Sequence, residues 1–436
     1  MLLTGSVGLG HEMMARSCAG LLHQAGWRTR SLDSMTLLGG RSARVADRVF
    51  GRLVTMPGVY DGLHFAHLRT GSRLAGLMDR GARSRLVPAL RADLAREPAD
   101  LVLSVFATGA SAAAALKAEA PARATVVLCT DVAVHRLWVS QGTDLFLVTS
   151  PAAAASVRRY LPRADIRVVP PPVRPAFYAA PTQKEARLEL GVPDSEPCVL
   201  LIDSGWGFGP LADSVTALAR AGVHVLAVAG RHQAMGHRLR ELARASPRIR
   251  PFGFTGQVPA LMAAADLVIA LPGATTCAEA RVVGRPLLLL DVMPGHGRDN
   301  LQHELGLGGA DVCGPGAAGI TASALAVLDT VTRPAGQATP PRWEPAYLAA
   351  LRQVIPGGNE GLGATAHDAH AVSQSAVVRG FRWRGGGPVP GPAGDPVVLV
   401  SHLAGPARRA RAGQQAGGRP AGRAGPGRRG AAGPPA

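Results

Sequence analysis

Short apolar, β-branched runs alternate with longer amphipathic stretches along this chain, and the whole alternation occurs twice. After the strand-like opening Met1–Thr4, the runs Leu101–Phe106, Thr125–Cys129, Asp144–Val148 and Ile166–Val169 are separated by Ala/Arg/Leu-rich stretches of helical character. That is the alternation of a parallel α/β sheet. Pro170-Pro171-Pro172-Val173-Arg174-Pro175 then interrupts it with a stiff, extended segment that neither a helix nor a central strand tolerates. Beyond this linker the pattern restarts with Cys198–Ile202, Val223–Val228, Asp266–Ala270 and Pro286–Leu290. The expected architecture is α/β, with two doubly wound, Rossmann-like domains facing a cleft. Residues 1–169 form the first domain, 170–180 the linker and 181–355 the second domain. In such sheets ligands sit beyond the carboxyl ends of the strands, here in the cleft between the domains.

Beyond about Ile355 the periodicity fails. Residues 356–436 are Gly/Ala/Pro/Arg-rich, cannot bury enough apolar surface to offset chain entropy, and read as a disordered basic tail. Residues 379–436 hold ten arginines and one acid, Asp395, so this stretch carries +9 of the formal +17. Nearly every cation is Arg, with Lys117 and Lys184 the two lysines, a bias that goes with a GC-rich coding sequence. The excess therefore argues for a solvated surface or attraction to an anionic membrane rather than for nucleic acid. The five cysteines (Cys18, Cys129, Cys198, Cys277, Cys313) are scattered without a C-x-x-C pair, and read as reduced thiols rather than a disulfide framework or a zinc-thiolate site. No apolar run is long enough to span a membrane, and Met1–Thr4 is not a basic n-region followed by a signal-peptide core. A cytoplasmic protein is expected.

Three stretches carry candidate chemistry. Thr4-Gly5-Ser6-Val7-Gly8-Leu9-Gly10-His11 lies between the opening strand and an amphipathic helix from about Glu12 to Gln24. Its G-x-x-G-x-G spacing fits neither the dinucleotide fingerprint nor the P-loop. Gly8 and Gly10 let a ligand approach the helix start, and His11 is placed either to take a proton from an acceptor hydroxyl or to cap and pack the helix. Cys129-Thr130-Asp131-Val132-Ala133-Val134-His135-Arg136-Leu137-Trp138 follows a strand directly. Asp131 there orients or activates an acceptor, or caps a helix; His135 and Trp138 share a face if the stretch is helical. In the third, Met262–Ala280, a buried strand enters a Pro272-Gly273 turn and a helix bearing Thr275, Thr276 and Glu279. Small residues and hydroxyls at a helix start suit a diphosphate, and Glu279 one turn on suits two ribose hydroxyls. A further loop, Pro294–Asn300, follows the next strand.

These residues resemble a known family. Ala263–Ala310 is similar to the nucleotide-sugar half of GT-B glycosyltransferases, with its AAADLVI, PG, T-x-x-EA and G-x-P elements in order. Thr130–Trp138 resembles the TD-x-x-x-H-x-x-W segment, and Val173-Arg174-Pro175 with Phe177 the P-x-RP-x-F segment, of the branch holding monogalactosyldiacylglycerol synthases and processive diacylglycerol glucosyltransferases. This is a family 28-like branch. The glycine loop ending in His11 is similar to the branch's G-G-G-H. The resemblance runs collinearly over about residues 1–330.

What the resemblance implies is an inverting, metal-independent hexosyltransferase that uses a UDP-sugar as co-substrate and no cofactor. Glu279 then binds ribose, Gly273, Thr275 and Thr276 line the path from uracil to phosphate, and Asn300 holds the second loop. Gly205, Gly207 and Gly209 correspond to the family's glycine-rich start of the second domain. On the acceptor side stand Gly8, Gly10, His135 and Trp138, with His11 as base and Asp131 as rival or helper. His296 replaces a glutamine that faces donor-sugar hydroxyls in the family. The implied acceptor is a lipid hydroxyl of the diacylglycerol type, reached peripherally at the inner face of the plasma membrane through basic side chains that include Arg69, Arg73, Arg80, Arg83 and Arg85. Alternatives are transfer to a soluble natural product or cell-wall precursor, a non-catalytic nucleotide-sugar-binding protein, and an epimerase on the same scaffold.

Overall fold

The computed structural model describes residues 1–5, 9–39, 49, 52–53, 56–202, 211–314, 316–330 and 340–355, all within one unit, Met1–Trp383. The expected tail and the glycines Gly8, Gly205, Gly207 and Gly209 lie outside the described residues.

Two six-stranded sheets, both wholly parallel, make the frame. The first contains β1 (Leu2–Thr4), β2 (Ser31–Asp33), β3 (Leu101–Ser104), β4 (Ala124–Cys129), β5 (Leu145–Val148) and β6 (Ile166–Val168). The second contains β7 (Cys198–Ile202), β8 (His224–Val228), β9 (Ile249–Phe252), β10 (Leu267–Ala270), β11 (Leu287–Leu289) and β12 (Ala310–Val312). Their orders are β2-β1-β3-β4-β5-β6 and β12-β11-β10-β7-β8-β9. In each the chain builds outward in one direction, returns to the middle and builds the other way. The order therefore reverses between β1 and β3 and between β7 and β10, where the loops after adjacent strands diverge and leave a crevice. The central strands are buried throughout, as Leu101–Ser104, Ala124–Cys129 and Leu267–Ala270 show.

Local signals set the helix limits. Ser150 caps the helix Pro151–Tyr160 with its hydroxyl on the Ala153 N–H, and Pro151 stands at the first helical position, where its missing N–H costs nothing. Thr182 and Glu185 form a reciprocal capping box at the start of the second domain. The buried Arg187 guanidinium is paired with Asp266 at 2.6 Å and donates to the carbonyls of Ala264 and Asp194, which ties this helix to the approach to β10. All five cysteines are free thiols.

One boundary departs from expectation. The helix Glu344–Arg352 falls within the range 181–355 assigned to the second domain, yet Trp343, Tyr347, Ala350 and Leu351 are buried in the first domain's core against Leu2, Met14, Cys18 and Leu103. The end of the described chain crosses back and packs on the sheet from which the chain began.

Candidate active site

At the reversal point of the first sheet, the chain leaves β1 at Gly5, whose Cα faces the Phe106 ring so closely that any Cβ would collide with it. The helix Leu9–Gln24 begins three residues before the expected Glu12 and carries His11 in its first turn. His11 Nδ1 lies 2.9 Å from the Val105 carbonyl just beyond β3. A carbonyl only accepts, so Nδ1 carries the proton and Nε2 is the basic nitrogen. Phe106 meets the imidazole edge-on, with centroids 5.0 Å apart. Burial pulls the His11 pKa below the ordinary histidine value, while the Asp131 charge and the Val105 carbonyl oppose that shift.

Asp131 follows the end of β4. Its Oδ2 accepts the Trp138 indole N–H at 2.8 Å and lies 4.0 Å from His135 Nε2. Burial pushes its carboxyl up, but the charge that His296, His135 and His11 take on when they ionise, together with the Trp138 N–H, holds it below the ordinary range. Asp131 caps no helix. Residues 131–135 are loop, followed by one 3₁₀ turn, Arg136–Trp138, so the shared helical face expected for His135 and Trp138 is absent. Both converge on Asp131 instead. Trp138 is buried among Ala110, Val127 and Phe146, and its indole N–H holds the Asp131 carboxylate rather than facing the open cleft. His135 is held down to about 4, chiefly by burial, and is neutral at pH 7.

At the reversal point of the second sheet, β10 leads through Pro272-Gly273 into the helix Ala274–Val283. No side chain caps this helix start, so its first N–H groups and the positive end of its dipole face the crevice. The two helix starts approach each other: a Cβ placed on Gly10 would stand 3.7 Å from Thr275 Oγ1. Glu279 lies one turn on and is 3% exposed. Its Oε1 is bound by Arg174 Nε of the linker at 2.8 Å, and Arg174 also stacks on Phe177. The carboxylate expected to bind ribose is thus already paired with Arg174 on one oxygen, though its four lone-pair sites leave it room for a hydroxyl. Burial raises the Glu279 pKa and Arg174 opposes the rise.

The Pro294–Asn300 loop completes the cleft. Asn300 Oδ1 accepts the Val132 N–H at 3.4 Å, which places Asn300 on the interdomain seam beside Asp131. His296 Nδ1 shares a hydrogen bond with the Tyr60 hydroxyl at 3.2 Å, and burial lowers its pKa. Asp299 is gripped by His64 and Arg69. The structure therefore brings together His11, Asp131, His135, His296, Asn300, Gly10 and Thr275. Arg174 stood in a recognised motif without a role. Tyr60, Asp61 and His64 carried no reading from the sequence, and Arg69, expected among the membrane-facing arginines, is instead turned to Asp299. Among the described residues no His/Cys/Asp/Glu group is placed to hold a metal ion.

Residues 211–304 match the glycosyltransferase family 28 C-terminal domain. A probable monogalactosyldiacylglycerol synthase 2 from Oryza sativa subsp. indica is 31% identical over 190 residues, covering 41% of this chain and 40% of that protein. A processive diacylglycerol beta-glucosyltransferase from Bacillus pumilus is 25% identical over 183 residues, covering 40% of this chain and 47% of the relative. The matched region thus spans less than half the length of these relatives. The solved structure of Os79 from O. sativa, in complex with U2F and trichothecene, aligns with a TM-score of 0.51 at 15% identity, over 75% of this chain and 90% of that one, a likeness of fold. Two parallel sheets joined through a cleft are the GT-B arrangement, and within it residues 211–304 match the glycosyltransferase family 28 C-terminal domain, in a chain similar over part of its length to galactolipid and glucolipid synthases.

Proposed function

We propose that this chain is an inverting hexosyltransferase that moves a sugar from a UDP-sugar to the hydroxyl of a diacylglycerol-type lipid at a membrane surface. One observation carries the reading: the reversal points of both sheets meet, with the basic Nε2 of His11 on one side and the uncapped start of the Ala274–Val283 helix on the other. In the proposed step the acceptor oxygen forms a bond to the anomeric carbon while the bond to the diphosphate oxygen breaks. The acceptor proton passes to His11 Nε2, and the departing diphosphate draws stabilisation from the free N–H groups and dipole of the helix start. Asp131 stabilises the imidazolium that forms. No metal or other cofactor enters this step.

Glu279 supplies the test on the donor side. Glu279→Ala removes charged hydrogen bonds to ribose and is expected to weaken UDP binding by about 1–3 kcal/mol, read by calorimetry. Unchanged affinity in a folded variant would remove Glu279 from the site.

The lipid acceptor is supported by the exposed face of the helix Arg73–Arg96. Leu77 is 59% exposed there, with Leu74 and Met78 beside it and Arg73, Arg80 and Arg85 also exposed. Apolar side chains among arginines suit an anionic interface. Arg69 does not belong to that face, because Asp299 holds it; Arg83 lies 3.6 Å from Asp79. Among the described residues no helix is long and apolar enough to cross a membrane. Leu77→Asp is expected to reduce cosedimentation with phosphatidylglycerol vesicles about tenfold, the loss of roughly one buried leucine's transfer energy. Wild-type binding by this variant would move the docking face elsewhere.

A further inference from the structure

One segment of the first domain holds four of the seven residues of the Pro294–Asn300 loop. It begins as the α-helix Pro57–Asp61 and continues as the π-helical stretch Gly62–Leu68, closed by the Arg69 N–H on the His64 carbonyl at 2.8 Å. The wider coil matters. In an α-helix residue i+5 points well away from residue i, whereas an i to i+5 turn brings the two nearly into line. His64 and Arg69 consequently reach the same carboxylate, His64 Nε2 to Asp299 Oδ2 at 3.0 Å and Arg69 Nη1 to Asp299 Oδ1 at 2.7 Å.

The neighbouring residues continue the grip. Asp61 Oδ1 accepts the Gly295 N–H at 2.6 Å, and its Oδ2 lies 3.2 Å from Arg298 Nη2. The Tyr60 hydroxyl meets His296 Nδ1. Gly295 has φ +65° and ψ −120°, a backbone region that belongs to glycine, and a Cβ there would stand 2.5 Å from the Tyr60 ring and 3.3 Å from His64 Cβ. His64 itself is fully buried. Residues 295, 296, 298 and 299 of the second domain each have a partner on this one segment of the first.

We infer that Tyr60, Asp61, His64 and Arg69 are positioning residues for the proposed transfer: they hold the Gly295–Asp299 turn, and with it His296, in place from the opposite domain. The donor-side loop is then shaped by the acceptor-side domain and is complete only when the two domains are together. The role in transfer rests on the proposed function; the grip itself does not.

Hydrogen–deuterium exchange of ligand-free protein separates the two. In Arg69→Met and in Asp61→Ala the peptide covering residues 293–300 is expected to exchange at least tenfold faster than in the wild type, with the Gly295 amide most affected. Arg220→Met, at an exposed arginine remote from the loop, controls for loss of charge and is expected to change nothing there. Unchanged exchange in both variants would overturn the grip.

Steady-state kinetics with UDP-glucose and UDP-galactose then test positioning. Arg69→Met and Tyr60→Phe are expected to raise the donor KM three- to tenfold at nearly constant kcat. A merely structural role lowers kcat by the fraction of protein folded and leaves KM alone, and that result would overturn positioning. Faster exchange in the variants together with a wild type that neither binds nor turns over a UDP-sugar would sink the proposed function and leave the interdomain grip standing.

Discussion

Replacing His11 with alanine is expected to lower turnover about 10²–10⁴-fold while leaving UDP affinity close to that of the wild type. The separation follows from where the side chain stands. The imidazole belongs to the acceptor-side reversal point, fixed by the Val105 carbonyl and the Phe106 ring, whereas Glu279 and the Ala274–Val283 helix belong to the other sheet. The pH profile gives a second, independent reading. Burial holds the His11 pKa below the ordinary histidine value, so the neutral, proton-accepting form predominates at pH 7. Activity is therefore lost as pH falls through that lowered value, and kcat/KM has an acid limb below the normal imidazole range. Asp131→Asn removes the charge that raises the His11 pKa, so the limb moves to still lower pH in that variant, while the amide oxygen can still accept the Trp138 N–H. Wild-type turnover in His11→Ala, or an acid limb that survives in it, would dismiss His11 as the base.

The parts of the fold legible in the sequence are those whose surroundings are uniform. Leu101–Ser104, Ala124–Cys129, Cys198–Ile202 and Leu267–Ala270 are covered on both faces, so they appear as unbroken apolar runs. The strands with no such run lie at sheet edges. Ser31–Asp33, Ile249–Phe252 and Ala310–Val312 are three or four residues long and largely half-exposed or exposed, so water rather than a neighbouring layer selects their side chains. The candidate site divides in a similar way. His11, Asp131, Thr275 and Glu279 sit where a strand meets a turn, and glycine and proline mark those turns in the sequence. The Tyr60–Arg69 partners of the second loop lie more than 220 positions from the residues they bind, on a segment that passes from an α-helix into a π-helical stretch, so its facing residues do not keep the 3.6-residue period. Spacing cannot reveal a contact that only tertiary closure creates. Arg174 is intermediate: its motif was visible, but its partner Glu279 lies 105 positions away, in the other motif.

Trp343→Ala is expected to destabilise the protein by about 3–5 kcal/mol, the range for deleting a large aromatic side chain from a packed core. Trp343 is 1% exposed, stands edge-on to Tyr347 with centroids 5.2 Å apart, and packs with Leu2, Met14 and Cys18 in the first domain. Its indole N–H donates to the Val173 carbonyl at 2.8 Å, and Val173 belongs to the second domain's core. One residue thus joins the two cores through the linker, immediately before the arginine that pairs with Glu279. The substitution leaves a cavity in one core and an unpaired buried carbonyl in the other. Trp343→Phe keeps most of the packing and loses the hydrogen bond, so it should cost less, with about 1 kcal/mol belonging to the bond itself. A chain ended at residue 378 keeps this contact and should unfold, and work, as the full chain does; one ended at residue 342 should be at least as unstable as Trp343→Ala. Urea unfolding decides the matter. A Trp343→Ala variant within 1 kcal/mol of the wild type would mean that the crossing helix is not part of the first core, and the 355 boundary would revert to the second domain.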